Sequence, residues 1–504
     1  MAFRLFFKIF ILILCVFVTW YKFDAISSSP FLALTFGTIF ISLYFLLIDF
    51  KQFSLKKFKK NFYENKESSL DLFLNHPAKM LVMYFIFISF IGTILLSFPF
   101  SHYDKVSPID AFFTAVSAAC VTGLTTINIG EHFSSLGQII ILILIQLGGL
   151  GIMVLASIVL YNIGKISLKH ERIITSDLTD DLGEVKKALI CIGEVTFIAE
   201  FIGALLLTLA FYLNGENVSV SIFKGIFTSI SAFCNAGFSL EQNSLEAFKN
   251  SPLILYTVST LIILGSLSPA TCLLLPKFFQ GKKIKVQSQI SIVTTLSLLI
   301  FGTFCFLFFE WNNILSDLSI SEKFNNAWFM SVAARTGGFS SIDILKMKDS
   351  LYIIILIFMF IGGTPGGIAG GVKTTTFAVL ILTFFATVRN KRNIIIGERE
   401  IRKEAVYKAI TIFMLFLTFA LFIFFMLLAT QPQNTKVLLF ETISALGTTG
   451  LSLNVTPNLD EIGKVIIIFT MFVGRVGPLT LLMTLGGKRE LEKSSYPPVK
   501  ISLN

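Results

Sequence analysis

Four short stretches of this chain end alike: Val121-Thr122-Gly123-Leu124-Thr125, Asn235-Ala236-Gly237-Phe238-Ser239, Thr336-Gly337-Gly338-Phe339-Ser340 and Thr448-Thr449-Gly450-Leu451-Ser452. Each reads x-x-Gly-[Leu/Phe]-[Ser/Thr], and the central glycines lie 114, 101 and 112 residues apart. Five residues before each glycine stands an alanine (Ala118, Ala232, Ala333, Ala445), and ten before it an aromatic residue (Phe113, Phe227, Trp328, Phe440). A long-period repeat argues for four similar substructures around one axis. Glycine accepts φ > 0, so successive carbonyls can be turned the same way. Four such segments would line an axis with carbonyl oxygens, which can replace the hydration shell of a cation. A structural alternative is four similar re-entrant loops that hold no ion.

Other groups carry potential chemistry at membrane depth. Gly362-Gly363-Thr364-Pro365-Gly366-Gly367-Ile368-Ala369-Gly370-Gly371-Val372-Lys373 holds six glycines and a proline, which cannot sustain a regular helix unaided. They interrupt an apolar segment, Leu351 to Val388, far longer than one crossing needs. Close helix packing through small residues is the structural alternative. Arg475, within Gly474-Arg475-Val476-Gly477-Pro478, interrupts the last apolar segment, where a charge is costly and faces the bundle interior or water. An arginine packed against helix ends is the plainer reading. Lys373 either takes part in the loop's function or snorkels to the interface. Glu194, Glu200, Asp110 and Glu441 lie in apolar segments; all but Glu441 read as acceptors for neighbouring backbone. Arg335 has to pair behind the third glycine element. The six cysteines and four histidines are scattered and show neither metal-ligand nor redox spacing.

The elements that must position these residues are apolar helices. Charged residues make up 14% of the chain, where a soluble domain has about 25%. Apolar runs of about 20 residues recur from end to end, each long enough to cross about 30 Å of hydrocarbon. The N-terminal run lacks a small-residue cleavage site and reads as a retained helix. The expected fold is an all-α polytopic membrane protein. It has four pseudo-repeated helix/pore-loop/helix units around a central pore and two extra N-terminal transmembrane helices, about 10 transmembrane helices in all. Residues 1–50 hold the two N-terminal helices and 51–78 a basic linker or amphipathic helix. The four units follow at 79–165, 186–280, 286–390 and 402–490, and 491–504 form a tail. Connections on one side of the membrane carry 29 of the 41 Lys and Arg, which puts that side and both termini in the cytoplasm. The basic balance therefore reports topology and not nucleic acid.

Before each glycine lies a segment too short to span. In the first unit it runs from Pro108 to Cys120, with Ser107 and Asp110 as a capping-box-like start; Ser319-x-x-Glu322 starts the third. Non-helical backbone after such a helix survives at membrane depth only if buried in protein or lining water. The negative C-terminal end of each short helix would favour a cation.

These motifs resemble the Trk/Ktr/HKT superfamily of potassium transporters, on Ala118–Thr125, Phe233–Ser239, Arg335–Ser340 and Glu441–Ser452, and the resemblance runs from His76 to Arg489. It implies K⁺ uptake through a selectivity filter of Val121, Thr122, Gly123, Asn235, Ala236, Gly237, Thr336, Gly337, Gly338, Thr448, Thr449 and Gly450. It also implies a gating loop of Gly362, Gly363, Thr364, Pro365, Gly366, Gly367, Gly370, Gly371 and Lys373 below that filter. Arg475 would be an electrostatic barrier beside the loop and a donor to its carbonyls. A serine in place of the first glycine accompanies Na⁺ transport in some relatives, so Gly123 favours K⁺. The family further implies a homodimer in the cell membrane on a ring of cytoplasmic nucleotide-binding regulatory subunits of the TrkA/KtrA type. No cofactor is expected on this chain; K⁺ is the transported ion and Na⁺ a candidate activator.

Sodium or mixed Na⁺/K⁺ conduction stays open. So does a secondary transporter with its site at broken helices, although that class usually shows inverted repeats. An enzyme would need clustered His, Cys or acidic residues, and none are seen. Gly265-Ser266-Leu267-Ser268-Pro269 departs from the corresponding Gly148-Gly149-Leu150-Gly151, and with the extra N-terminal helices leaves the subfamily open. The charge asymmetry makes a topology prediction: cysteine labelling finds positions 55 and 280 cytoplasmic and position 215 external. External reactivity at position 280 would invert the arrangement.

Overall fold

The computed structural model describes residues 77–162, 182–391, 393–396 and 399–478. The two N-terminal helices, nearly all of the basic linker, and the C-terminal tail lie outside the described residues. The chain divides into two compact units, Met1–Met80 and Leu81–Asn504, and the account below concerns the second.

Apolar helices build that unit. They are α1 (Pro77–Ser97), α2 (Pro108–Ala119), α3 (Ser135–Asn162), α4 (Leu182–Leu213), α5 (Val218–Phe233) and α6 (Pro252–Ser266). Next come α7 (Val286–Glu310), α8 (Ile320–Ala333), α9 (Asp349–Phe360), α10 (Thr374–Val388), α11 (Lys403–Thr430), α12 (Thr435–Gly447) and α13 (Glu461–Val476). An antiparallel hairpin pairs Ile395–Ile396 with Arg399–Glu400. Among the described residues, Ile192–Leu213, Val286–Glu310 and Lys403–Thr430 are long and apolar enough to cross a membrane singly. Their outward faces leave large apolar side chains uncovered, such as Phe201, Phe308 and Phe425, a pattern that suits contact with lipid.

The short helices α2, α5, α8 and α12 occupy the interior. Each is followed by one of the repeated glycine stretches. Their packing explains the repeat's outer positions. Ala118, Ala232, Ala333 and Ala445 are fully buried, as are Phe113, Phe227 and Phe440; Trp328 is half-buried. Alanine there lets neighbouring helices approach, and the aromatic one turn back fills the space behind. The helix after one short helix packs against the next short helix: α3 on α5, α6 on α8, α9 on α12, and α13 back on α2. A half-buried ion pair, Lys464 to Asp110 at 2.7 Å, fastens this last contact. Asp110 thus takes a side-chain partner, not the neighbouring backbone its sequence context suggested.

The four helices that follow the glycine stretches all break at some point. α3 kinks at Gly151 (φ 67°, ψ 178°). α6 stops at Ser266 and turns through 118° into a short helical continuation that starts at Pro269. α9 and α10 are separated by the glycine-rich segment. α13 ends at Val476, with Gly477 at φ 87°. Arg475 therefore sits in the last turn of a helix and not in the middle of one.

Helix starts follow local rules. Ser319 and Glu322 form a complete capping box at α8. At α2 the reciprocal backbone bond is missing: Ser107 accepts from the Asp110 N–H and donates its hydroxyl to one Asp110 oxygen, while the other oxygen takes Lys464. The Ser319 hydroxyl and backbone N–H hold the Glu322 carboxyl below the usual carboxylate range. A depressed folded-state pKa means the box contributes at neutral pH and is lost as pH falls through that lowered value. Ser319→Ala removes a cap of about 1 kcal/mol. The expected outcome is a lower melting temperature at pH 7, with a smaller difference from the parent in acid.

Candidate functional site

The four glycine stretches meet at the centre of the molecule. Each begins as its short helix ends, and the backbone N–H groups turn back to the last helical turn. Thr122 N–H donates to Ser117 O at 2.8 Å, Ala236 to Ser231 O at 2.7 Å and Thr449 to Ser444 O at 2.8 Å. Gly337 N–H donates to Ala333 O at 2.9 Å. In the first and fourth stretches the next N–H is held as well: Gly123 donates to Ser117 Oγ and Gly450 to Ser444 Oγ, each at 3.2 Å. In the second, Ser231 Oγ donates to Phe238 O at 2.8 Å.

With those donors turned back, the carbonyls of Thr122, Ala236 and Thr449 lie against the neighbouring stretch. The turn requires left-handed backbone twice in each stretch. Gly123, Gly237, Gly338 and Gly450 have φ of 91°, 70°, 72° and 91°. The residues two places earlier are left-handed too: Val121 (55°), Asn235 (56°), Thr336 (64°) and Thr448 (49°). Such values are uncommon outside glycine, and a β-branched residue there is an outlier. Four at matched positions indicate a conformation imposed by the surroundings.

The glycines close a ring. A Cβ on Gly123 would lie 2.3 Å from Ala236 O, and one on Gly237 would lie 2.7 Å from the Gly338 Cα. A Cβ on Gly338 would lie 2.6 Å from Thr449 O, and one on Gly450 2.3 Å from Thr122 O. Each stretch leans on the next, and the fourth returns to the first. On one side the ring opens into a cavity of about 180 Å³, lined by all four glycines and by Thr125, Ser239, Ser340 and Ser452. Glu241, Glu246 and Asp343 line it as well. Burial, with Asp343 nearby, raises the Glu246 carboxyl above its ordinary range.

The glycine-rich segment lies against the ring. A Cβ on Gly370 would lie 2.1 Å from Thr448 Oγ1. The segment folds on itself: Gly362 N–H donates to Val372 O at 2.9 Å and Thr374 N–H to Gly363 O at 2.9 Å. It also rests on the α6 break. Thr364 N–H donates to Ser266 O at 3.0 Å, Ile368 N–H to Gly265 O at 3.0 Å, and Ser268 N–H to Thr364 Oγ1 at 2.9 Å. Gly363 and Gly367 leave room for the Ser266 carbonyl, since a Cβ would approach it to 2.7 and 2.3 Å. Gly366 and Gly371 adopt φ of 79° and 65°. Pro365 lies in the turn that Gly367 N–H closes onto Thr364 O at 3.1 Å.

Three basic side chains grip this segment. Arg475 donates from Nη1 to Ile368 O and from Nη2 to Gly148 O, joining α13 to the segment and to α3. Arg335 donates to Gly362 O at 3.0 Å, the partner that the sequence left unnamed. Lys373 Nζ donates to Ala369 O at 2.6 Å, a bond within its own segment.

The acidic residues separate. Glu441 is fully buried behind the fourth stretch and accepts from Ser452 Oγ at 2.9 Å and from Thr456 Oγ1. Glu200 is buried on α4 and accepts from Gln146 Nε2 at 3.2 Å, a side chain and not backbone. Glu194 is exposed. Among the described residues no three His, Cys, Asp or Glu side chains are placed to hold a metal ion. Sequence reasoning passed over Ser117, Ser231 and Ser444, though all three stand six places before a motif glycine. It also passed over the α6 break as the seat of the glycine-rich segment.

The family described as TrkH, cation transport protein, matches residues 48–494. The chain belongs to this family. The TrkH family transports cations and is not a family of enzymes, so the chain is a helical, multi-pass membrane transporter. Among its relatives is the potassium/sodium uptake protein NtpJ of Enterococcus hirae, 36% identical and covering 83% of this chain and 95% of NtpJ. Ktr system potassium uptake protein D of Bacillus subtilis is 32% identical, over 84% of this chain and 96% of the relative. The crystal structure of the potassium transporter TrkH from Vibrio parahaemolyticus shares the fold. Its TM-score is 0.66 at 20% identity, over 96% of this chain and 99% of that one.

Proposed function

We propose that this TrkH-family chain takes up K⁺ through a single-chain pore. The twelve residues from Val121–Gly123, Asn235–Gly237, Thr336–Gly338 and Thr448–Gly450 act as its filter. The observation that carries this reading is the closed ring of four left-handed glycines, with the N–H groups before them bonded backward. Carbonyls so freed can replace a hydration shell without reorganising. The C-terminal ends of α2, α5, α8 and α12 add negative potential, and the acidic cavity raises the local cation concentration. The names of relatives as potassium uptake proteins support K⁺ as cargo. One relative's name, potassium/sodium uptake protein, favours mixed Na⁺/K⁺ transport as a second reading.

In this proposal four pseudo-repeated helix/pore-loop/helix units, over 79–165, 186–280, 286–390 and 402–490, surround the pore. Both termini face the cytoplasm, as the basic connections suggest. The segment from Gly362 to Lys373 is the gate, packed under Thr448 and held by Arg475 and Arg335. The guanidinium of Arg475 adds positive charge to the cation path. The chain has the character of one component of a larger system, as the relatives named for the Ktr system suggest. A homodimer bound to cytoplasmic nucleotide-binding subunits is the assembly proposed, with Na⁺ the candidate activator.

Growth of a K⁺-uptake-deficient bacterium at low K⁺ tests the cargo. The chain is expected to restore growth, and failure in cells that express it in the membrane would reject K⁺ uptake. Gly123→Ser is expected to lower K⁺-over-Na⁺ preference by roughly tenfold, a barrier difference of about 1.4 kcal/mol. Serine at each of the four glycines with unchanged preference would remove the filter assignment. For the gate, Arg475→Ala, or a deletion within Gly366–Gly371, is expected to raise ion flux per folded protein by roughly tenfold. Preference should then change little. A fall in flux per folded protein in both variants would mean that this segment is not the gate.

A further inference from the structure

The four left-handed residues ahead of the motif glycines are not equivalent. Val121, Thr336 and Thr448 are β-branched; Asn235 alone carries an amide. Its side chain is buried, with 1% of its surface exposed, so its polar atoms need partners in the protein. In the orientation its surroundings require, the amide nitrogen donates to Phe233 O at 3.1 Å and to Ile262 O at 3.2 Å. Its oxygen lies 3.3 Å from Thr336 Oγ1.

These three contacts reach three elements. Phe233 O belongs to the end of α5, the helix that leads into the second stretch. Ile262 O belongs to α6. Thr336 is the matching left-handed residue of the third stretch. The single hydroxyl proton of Thr336 is also within reach of Arg335 O at 2.6 Å, so it divides between that carbonyl and the Asn235 oxygen, and Arg335 itself reaches Gly362 O. One amide therefore joins the second stretch to its own helix pair and, across the seam, to the third. In the first and fourth stretches the equivalent place carries Val121, whose side chain has no polar group, and Thr448, whose Oγ1 has no hydrogen-bond partner among the described residues.

We propose that Asn235 is a positioning residue for ion selection: by linking α5, α6 and Thr336, its amide sets the spacing of the second and third filter strands. The proposal rests on the filter reading given above. A carbonyl ring discriminates between cations through the spacing and field of its oxygens. A tie across one seam fixes that spacing at a corner of the ring. Asparagine suits the place twice over, since it tolerates left-handed backbone and fills both donor and acceptor needs.

Asn235→Gly keeps the left-handed backbone without strain and removes the side chain with its amide. Asn235→Asp keeps the shape but turns an oxygen toward two carbonyls. Thr336→Val keeps the β-branched shape and removes the hydroxyl. The full-length variants are compared in membrane vesicles by competing K⁺ and Na⁺ uptake, with Gly237→Ser in parallel. Asn235→Gly and Asn235→Asp are expected to lower K⁺-over-Na⁺ preference roughly three- to tenfold. Thr336→Val should lower it in the same direction, and Asn235→Gly combined with Thr336→Val should do no more than Asn235→Gly alone.

If Asn235→Gly does not accumulate in the membrane, Asn235→Asp and Thr336→Val decide. Equal loss of K⁺ and Na⁺ uptake, with the ratio intact, would make the amide merely structural and overturn the proposal. Additive effects in the double variant would overturn the link across the seam. Should Gly237→Ser shift the preference while every Asn235 variant leaves it alone, the filter stands and the role of Asn235 falls. Unchanged preference in Gly237→Ser as well would reject the filter reading itself.

Discussion

The central constraint is the absence of room for a Cβ at four points. At Gly123, Gly237, Gly338 and Gly450 the place a side chain would take is occupied by backbone of the next stretch. Such close approach is open only to glycine, and positive φ at the same residues restricts the choice again. Much of the interior follows from keeping these four backbones in contact. The short helices end where the turn must begin. Alanines let their last turns approach, and hydroxyls of Ser117 and Ser444 hold N–H groups that the turn removes from the helix. Strain at the β-branched Val121, Thr336 and Thr448 persists because packing around them imposes the left-handed backbone.

A second level depends on the first. Each helix that follows a glycine stretch breaks, and the breaks supply what regular helices lack: backbone carbonyls without helical partners. Gly148, Gly265, Ser266, Gly362 and Ile368 all use their carbonyls as acceptors for groups from elsewhere in the chain. Arginine is suited to such a place because its planar fork presents several donors at once. Arg475 uses two of them to join three parts of the chain that are remote in sequence. The cost of burying its charge is offset by those hydrogen bonds, and Phe85 adds a ring 5.7 Å from the guanidinium carbon.

What the sequence disclosed and what it withheld divide along physical lines. The glycines were legible because no other residue satisfies the turn. The alanine and aromatic positions were legible because burial against a helix of fixed length repeats with them. The capping box at Ser319 and Glu322 was legible because it is a local interaction. The left-handed conformation of Val121 and Thr336 was not, since β-branched residues disfavour it and only the tertiary fit imposes it. Ser266-Leu267-Ser268-Pro269 stood out as a departure, but its partner, Thr364, lies almost a hundred residues away. The acceptor for Arg335 was hidden for the same reason. Ser117, Ser231 and Ser444 could have been found by extending the motif one place upstream of its alanine.

The inequality of the four left-handed residues has an evolutionary consequence. Where four identical subunits surround an axis, any substitution is made four times at once, and a small adjustment is out of reach. Here each corner is written separately in one chain. A single nucleotide change can alter Asn235 and leave Val121, Thr336 and Thr448 as they were. The centre of this molecule can therefore be retuned a quarter at a time, and differences among its relatives in cation preference have a path of small steps open to them.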